Sequence, residues 1–120
     1  MKVLRNFTLH TQGPAEVRLA EEAGFQLLAA PEGVEVEGGL DAAANELAMQ
    51  LGSCAMRDEA ALVGGLTVLW IAALDRLALQ GIQRPELAWF VTARERDAND
   101  RFMFNALRLE LLPELSCVSS

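Results

Sequence analysis

Few side chains in this sequence could act as nucleophiles, general bases or metal ligands. His10 is the only histidine, and the two cysteines, Cys54 and Cys117, lie far apart and form no paired motif. A metal site needs several convergent ligands, and nucleophilic catalysis of the Ser-His or Cys-His kind needs a histidine with a well-placed partner. The spacing indicates neither arrangement, so we expect no metal, no cofactor and no enzymatic activity.

Paired acids and paired glycines are the remaining candidates for chemistry. The adjacent carboxylates Glu21-Glu22 and Asp58-Glu59 lie at predicted helix ends, where the helix dipole and solubility explain them. Gly38-Gly39 and Gly64-Gly65 match neither GxxxxGK[ST] nor GxGxxG, so no phosphate-binding loop is predicted. Cys54 lies beside Ser53 on a helical stripe, which favours a small buried residue over a reactive thiol.

Composition and charge limit the class of protein. The chain has 120 residues, 52% of them hydrophobic, and this length suits a single domain spanning residues 1–120. The net charge of −7 repels phosphate backbones, which argues against direct binding of nucleic acid. The arginines between residues 94 and 108 alternate with carboxylates, so a solvated mixed-charge face is the preferred interpretation.

The cysteine usage and the first residues suggest a compartment. Two unpaired cysteines and a start, Met1–Asn6, without an apolar stretch predict a reduced, cytoplasmic protein. The longest apolar run, Ala60–Leu74, has 15 residues and falls short of the roughly 20 needed to span a bilayer. We therefore expect a buried helix there and no membrane partner.

The N-terminal third contains short elements. Arg5–Thr11 alternates between apolar and polar residues, which predicts a short strand. Pro14 suits the first position of a helix that Gly24 would end. Phe25–Ala30 and Val34–Glu37, on either side of the Pro31–Gly33 turn signal, could pair as a hairpin, or the second piece could be an extended lead-in.

The middle of the chain predicts two helices. Leu40 to about Arg57 has apolar residues at helical spacing, and Asp58 is a good N-cap for a second helix that runs to about Gln80. The short connection makes these helices antiparallel neighbours, so residues of about 40–80 would form an αα-hairpin. The predicted fold class is therefore mainly α: an antiparallel helical hairpin with flanking helices and a short N-terminal β element.

The C-terminal third is ambiguous. Pro85-Glu86 would open a further helix that includes Trp89 and Phe90, and Phe102–Leu112 is also assigned to a helix on propensity. The alternation of leucines at positions 107, 109 and 111 would satisfy a strand equally well. Segment 86–112 is therefore open between one helix, two helices and partial strand, followed by a loose tail at Ser116–Ser120.

The second predicted helix carries apolar residues all round and must be covered on more than one side. Its small-residue groove would fit a symmetric dimer, and packing on the Pro85 helix is an equal alternative. Trp89 and Phe90 would point about 100° apart on a helix, so one of them would remain exposed as an anchor for a partner. The predicted protein interface comprises Gly65, Leu66, Val68, Trp70, Ala72, Trp89 and Phe90.

One pattern in the sequence comprises Phe25-Gln26-Leu27-Leu28, Gly33-Val34, Glu37, Leu40-Asp41-Ala42-Ala43-Ala44, Leu47, Leu51 and Ser53. In this pattern the chain resembles a set of short pseudomonad helical proteins of unassigned function. The resemblance covers about residues 25–80 and departs at Gly64-Gly65 and after Gln80. In size, acidity and helical character the chain also resembles the quorum-sensing antiactivators such as QslA, which bind a LuxR-type regulator.

The resemblance and the apolar surplus together imply a regulatory protein that binds and inhibits a protein target. The target that the resemblance implies is a LuxR-type quorum-sensing transcription factor, and a homodimer is expected. The alternative is a secretion chaperone or a toxin-immunity protein, which would bind an effector or a toxin. Neither function involves direct contact with nucleic acid.

Overall fold

The fold is mixed α/β, so the prediction of a mainly α fold is wrong. The structure is a computed structural model, and it describes residues 1–8, 10–30 and 34–113. Within these residues a five-stranded sheet is covered by helices on both faces. The elements in chain order are β1 (Lys2–Asn6), α1 (Pro14–Glu22), β2 (Phe25–Ala29), α2 (Leu40–Met56), β3 (Ala60–Leu62), α3 (Thr67–Leu79), β4 (Leu87–Arg96) and β5 (Phe102–Leu111).

The sheet has the strand order β2-β1-β3-β4-β5. The first four strands are parallel, and β5 returns antiparallel to β4. Each parallel connection contains one helix, as such crossovers require. The order reverses between β1 and β3, because the chain leaves β1 in one direction to form β2 and later passes back across it to form β3.

Two apolar clusters, one on each face of the sheet, make up the core. The larger cluster joins α2 and α3 to Ala61 and Leu87. The smaller one joins Ala20 of α1 to Leu4 and Leu62. Because successive side chains of a strand point to opposite faces, all three residues of β3 are buried, two on the α1 side and Ala61 on the α2 side.

The predicted antiparallel helical hairpin is wrong, although its first helix is confirmed as α2. Ala60–Leu62, assigned to the second helix, is the central strand β3 instead. The chain leaves α2 through Asp58, whose φ of 55° is incompatible with the N-cap role assigned to it. Since β3 lies between them, α2 and α3 both return the chain across the sheet and run in the same direction.

Gly64-Gly65 lies in the loop from β3 to α3 and not inside a helix. A Cβ on Gly64 would lie 2.7 Å from Cγ2 of Thr8, so the loop after β1 can approach only because this residue is glycine. Gly65 has a φ of 86°, which glycine adopts without a steric cost. The small-residue groove proposed for a helical dimer therefore does not exist as one helix face.

The helices predicted after Pro85 are also wrong, because residues 87–111 form the β4–β5 hairpin. Alternation at positions 107, 109 and 111 was the correct signal, and helix propensity was misleading. Tertiary context overrides a propensity preference of a few tenths of a kcal/mol per residue, roughly the spread among ordinary residues. Pairing of nine residues of β4 with nine residues of β5 supplies that context.

The N-terminal predictions are partly confirmed. The helix that begins at Pro14 is α1, and Gly24 follows its end with a φ of 89°. The strand predicted over 5–11 is β1, displaced towards the N-terminus. Phe25–Ala29 is a strand, but it pairs in parallel with β1, and Val34–Glu37 forms no strand. Of the two alternatives for these pieces, the hairpin is therefore wrong.

Some sequence predictions lie outside the described residues. These are the Pro31–Gly33 turn, the contribution of Leu9 to the first strand, the tail at Ser116–Ser120, and Cys117. In the described part of the chain, no helix has the length and apolar character needed to cross a bilayer.

Candidate functional site

The β4–β5 hairpin extends well beyond the rest of the sheet. β4 has ten residues, but only Leu87 and Ala88 pair with β3. The last backbone bond to β3 is donated by Val63 N–H to Ala88 O at 2.8 Å. The radius of gyration is 15.3 Å, larger than the value of about 13.6 Å for a compact chain of this length. The outer hairpin is therefore an arm on an otherwise compact body.

A turn of acidic and amide residues closes the tip of this arm. Asp97 Oδ1 accepts hydrogen bonds from the backbone N–H groups of Asn99 and Arg101, at 2.8 and 2.9 Å. Asp100 has a φ of 61°, a conformation that aspartate tolerates better than most residues. The tip is thus specified locally, and it holds the two strands in register without help from the body.

The arm exposes large apolar side chains. Phe102 and Phe104 lie on the α1 side of the arm and are 49% and 68% exposed. The guanidinium carbons of Arg94 and Arg96 lie 3.6 and 4.9 Å from the centre of the Phe102 ring. Aromatic and arginine side chains are the types enriched in interface hot spots. We call Phe102, Phe104, Arg94 and Arg96 the aromatic patch.

The arm differs electrostatically from the body. Between residues 87 and 111 the four arginines and four carboxylates cancel, so the entire net charge of −7 lies elsewhere in the chain. A neutral surface approaches an acidic partner without the repulsion that the body would experience. The arm is therefore an electrically neutral part of an acidic molecule.

The structure separates the predicted interface residues into two groups. Gly65, Leu66 and Val68 lie exposed in the β3–α3 loop and at the start of α3, with Ala72 half-buried further along that helix. Trp70 is buried, and its indole N–H donates to Gly64 O at 2.9 Å. Its ring meets Phe7 edge to face at 6.4 Å between centroids, so Trp70 is a core residue.

Trp89 and Phe90 both lie on β4, where neighbouring side chains point to opposite faces. Phe90 packs partly buried against the α1-side cluster, and Trp89 is 40% exposed on the α2 side. The separation of about 100° expected for a helix is replaced by the alternation of a strand. The seven predicted residues therefore form no single surface.

Sequence reasoning did not select Phe102, Phe104 or Leu107 for the interface. They belong to β5 and are 49%, 68% and 51% exposed, whereas Phe102–Leu112 was predicted to be helical. Two signals could have identified the arm: the leucine alternation after residue 106, and the Asp97–Asp100 segment, whose residue types are typical of turns.

A second candidate region is the crevice at the carboxyl ends of β1 and β3. Ligands of open α/β sheets bind where the strand order reverses, which here is between these two strands. A cavity of about 270 Å³ opens there between Asn6, Thr8, Gly64 and Leu66. No carboxylate lines this cavity in the described part of the chain, and its walls are otherwise apolar.

The loop after β1 shapes one side of this crevice. Asn6 Oδ1 accepts a hydrogen bond from Thr8 N–H at 3.0 Å, and Asn6 Nδ2 donates to His10 O at 2.9 Å. His10 itself is exposed and lines an adjoining cleft of about 350 Å³. This loop therefore presents amide, hydroxyl and imidazole groups close to an apolar cavity.

The opposite, amino-terminal edge of the sheet carries a charged cluster. Glu59 accepts hydrogen bonds from Arg5 at 3.1 Å and from Arg57 at 2.8 Å. The hydrogen bonds from Arg5, followed by those from Arg57, hold the pKa of Glu59 below its usual value. Burial raises the pKa of the neighbouring Cys54 thiol, so the thiol is protonated at neutral pH. This cluster fixes β1 to the α2–β3 connection.

Comparison with known proteins gives no match to a protein-family model and none to a curated protein. The resemblance to pseudomonad proteins and to antiactivators therefore stays a prediction. Among the described residues, no group of three or more His, Cys, Asp or Glu side chains could hold a metal ion.

Proposed function

We propose that this chain is a protein-binding regulator whose docking surface is the aromatic patch on the outer arm. The observation that carries the proposal is the exposure of Phe102 and Phe104 beside Arg94 and Arg96, on the part of the hairpin beyond the residues of β4 that pair with β3. Burial of two phenylalanine side chains contributes about 1.5–3 kcal/mol each when both are fully covered, enough for a specific contact. The complementary partner has an apolar pocket with carboxylates at its rim.

The contacts of Phe102 indicate that its side chain is oriented before a partner binds. The arginines hold Phe102 from one side, so the ring is partly oriented before a partner arrives. An oriented side chain loses less conformational entropy on binding. The arm can therefore act as a preformed probe in a cytoplasmic protein that has no catalytic role.

The test compares three immobilised proteins in lysate from the source cells: the wild type, Phe104→Ser and Met49→Ser. Met49 is an exposed apolar residue of α2, far from the arm, and serves as the matched control. We expect a protein to be recovered by the wild type and the Met49 variant and to be lost at least about tenfold with Phe104→Ser. Equal recovery by all three would contradict the proposal.

A LuxR-type transcription factor is the first purified target to test, because the resemblance implies one. The proposed activity is that of an antiactivator, measured as the loss of target dimers when the chain is added. If the partner is instead an effector or a toxin, the protein recovered from lysate identifies the chaperone or immunity alternative.

A further inference from the structure

The outer edge of β5 presents backbone groups that no other strand meets within residues 1–8, 10–30 and 34–113. Leu112 N–H donates to Leu87 O at 2.7 Å, so the backbone groups of residue 112 point towards β4. Alternate residues of a strand direct these groups to opposite sides, so those of Leu109 and Leu111 point away from β4. Such an open edge can pair with another strand.

The sequence at this edge is complementary to itself. Residues 107–111 read Leu-Arg-Leu-Glu-Leu. If two copies pair antiparallel about Leu109, Arg108 lies opposite Glu110 of the second copy, and Glu110 lies opposite its Arg108. Leucine then faces leucine at the remaining positions. Opposite charges and apolar pairs in directly facing positions stabilise antiparallel strands.

Two features of the backbone limit the pairing to this segment. The register of β4 and β5 shifts between Val91 and Thr92, which places the irregularity at Leu107. A bulge increases the local twist and interrupts a regular edge. On the other side, Pro113 has no N–H to donate. Leu109 is the centre of the symmetric Leu-Arg-Leu-Glu-Leu segment, which begins at the irregularity and ends two residues before Pro113.

We propose that two copies of this chain associate through antiparallel pairing of β5 with β5, centred on Leu109. The dimer joins the two sheets into one continuous ten-stranded sheet across a two-fold axis. A second copy is the occupant because the charge pattern is complementary to itself under that symmetry. The neutral arm also lets two acidic bodies associate without placing their excess charge at the contact.

In the isolated chain, Arg108 and Glu110 form an ion pair within their own strand. Arg108 Nε lies 2.8 Å from Glu110 Oε1 of its own strand, and both side chains are exposed. Exposed ion pairs contribute little to stability, so the exchange for contacts across the two-fold axis costs little. The dimer is independent of the aromatic patch, and thus goes beyond the function proposed above.

Charge reversal tests the pairing directly. Arg108→Glu places glutamates at both positions, and Glu110→Arg places arginines at both. Each variant sets like charges opposite each other at every polar contact of its homodimer. We expect the dimer dissociation constant, measured by light scattering after size-exclusion chromatography, to rise at least about tenfold for either variant.

A mixture of the two single variants separates the proposed contact from the pair within one strand. Each Glu then faces an Arg of the other chain, so the mixture forms a heterodimer although neither component self-associates. The double variant Arg108→Glu/Glu110→Arg restores complementarity and dimerises like the wild type. Arg101→Glu, at an exposed position near the tip and outside both surfaces, is the matched control and leaves the dimer intact.

The wild-type chain provides a test that needs no variant. Amide hydrogen exchange at Leu109 and Leu111 should slow as the protein concentration rises, because pairing protects the outward N–H groups. A wild type that remains monomeric at about 100 µM overturns the proposal. A dimer whose stability is unchanged by both single reversals, or whose Leu109 and Leu111 amides exchange freely, overturns it as well.

The failure of this proposal is distinguishable from that of the docking function. Phe104→Ser should abolish capture of the partner and leave the dimer unchanged, because Phe104 lies outside the paired segment. Arg108→Glu should dissociate the dimer and leave the aromatic patch available. Loss of both properties in either variant contradicts the separation of the two surfaces.

Discussion

Leu47 and Leu107 belong to stretches that are about equally apolar in sequence, yet their surroundings in the structure differ completely. Leu47 lies in α2 and is 1% exposed, because it packs in the cluster with Trp70 and Ala61. Leu107 lies in β5 and is 51% exposed. The comparison between body and arm shows that the sequence reveals an excess of apolar side chains. Which of these side chains remain exposed depends on which strand becomes the edge strand of the sheet.

The sharpest test of this contrast lies in the body. Leu51→Ala should lower the free energy of unfolding by about 3 kcal/mol, because Leu51 is fully buried in α2 and its truncation leaves a cavity. Urea denaturation followed by circular dichroism, at one protein concentration, measures the loss. Met49→Ala, on the exposed side of the same helix, should change it by less than about 0.5 kcal/mol. Similar values for the two would break the comparison.

The next largest change in stability is expected in the loop between β3 and α3. Gly64→Ala should lower the free energy of unfolding by about 2 kcal/mol, because the added Cβ would lie 2.7 Å from Cγ2 of Thr8. Thr8→Ser removes that methyl group, so the double variant should recover most of the loss. Gly38→Ala, where the nearest atom is 4.0 Å away, is the control. A double variant no more stable than Gly64→Ala alone would exclude the contact as the cause.

The charged cluster on the amino edge predicts a dependence on pH. Glu59 has a lowered pKa in the folded chain, so its contribution is present above the unfolded pKa of about 4.3 and is lost as pH falls through the folded value. Glu59→Gln should therefore lower the free energy of unfolding by about 1 kcal/mol at pH 7, and by progressively less in more acidic solution. Denaturation midpoints of both proteins between pH 7 and pH 3 measure this. A stability difference between the wild type and Glu59→Gln that grows as the pH falls would contradict the predicted direction of the pH dependence.

The smallest effect is expected on the arm. Phe104→Ser should change the free energy of unfolding by less than about 0.5 kcal/mol, because the ring is exposed and contributes little to the core. The same urea titration measures it. A loss near that of Leu51→Ala would mean that the arm belongs to the core, and the docking proposal would lose its main support.

Part of the fold could be predicted from local patterns. The limits of α1 and α2 follow from Pro14, Gly24 and the apolar spacing after Leu40, because caps and periodicity act within a few residues. The exposed anchor expected of Trp89 or Phe90 lies on the arm, although neighbouring Phe102 and Phe104 form the larger patch. Those two were missed because the helix prediction for Phe102–Leu112 concealed the strand pairing that sets them opposite Arg96 and Arg94.

The sequence by itself determined the acidity, the scarcity of catalytic groups and the excess of apolar side chains. Only the tertiary structure decided that Ala60–Leu62 is a strand. A short apolar run covered on both faces satisfies the helical period as well as the extended one, so its neighbours decide between them. β3 is a strand because β1 and β4 lie on either side of it, and the sequence carries no local record of those partners.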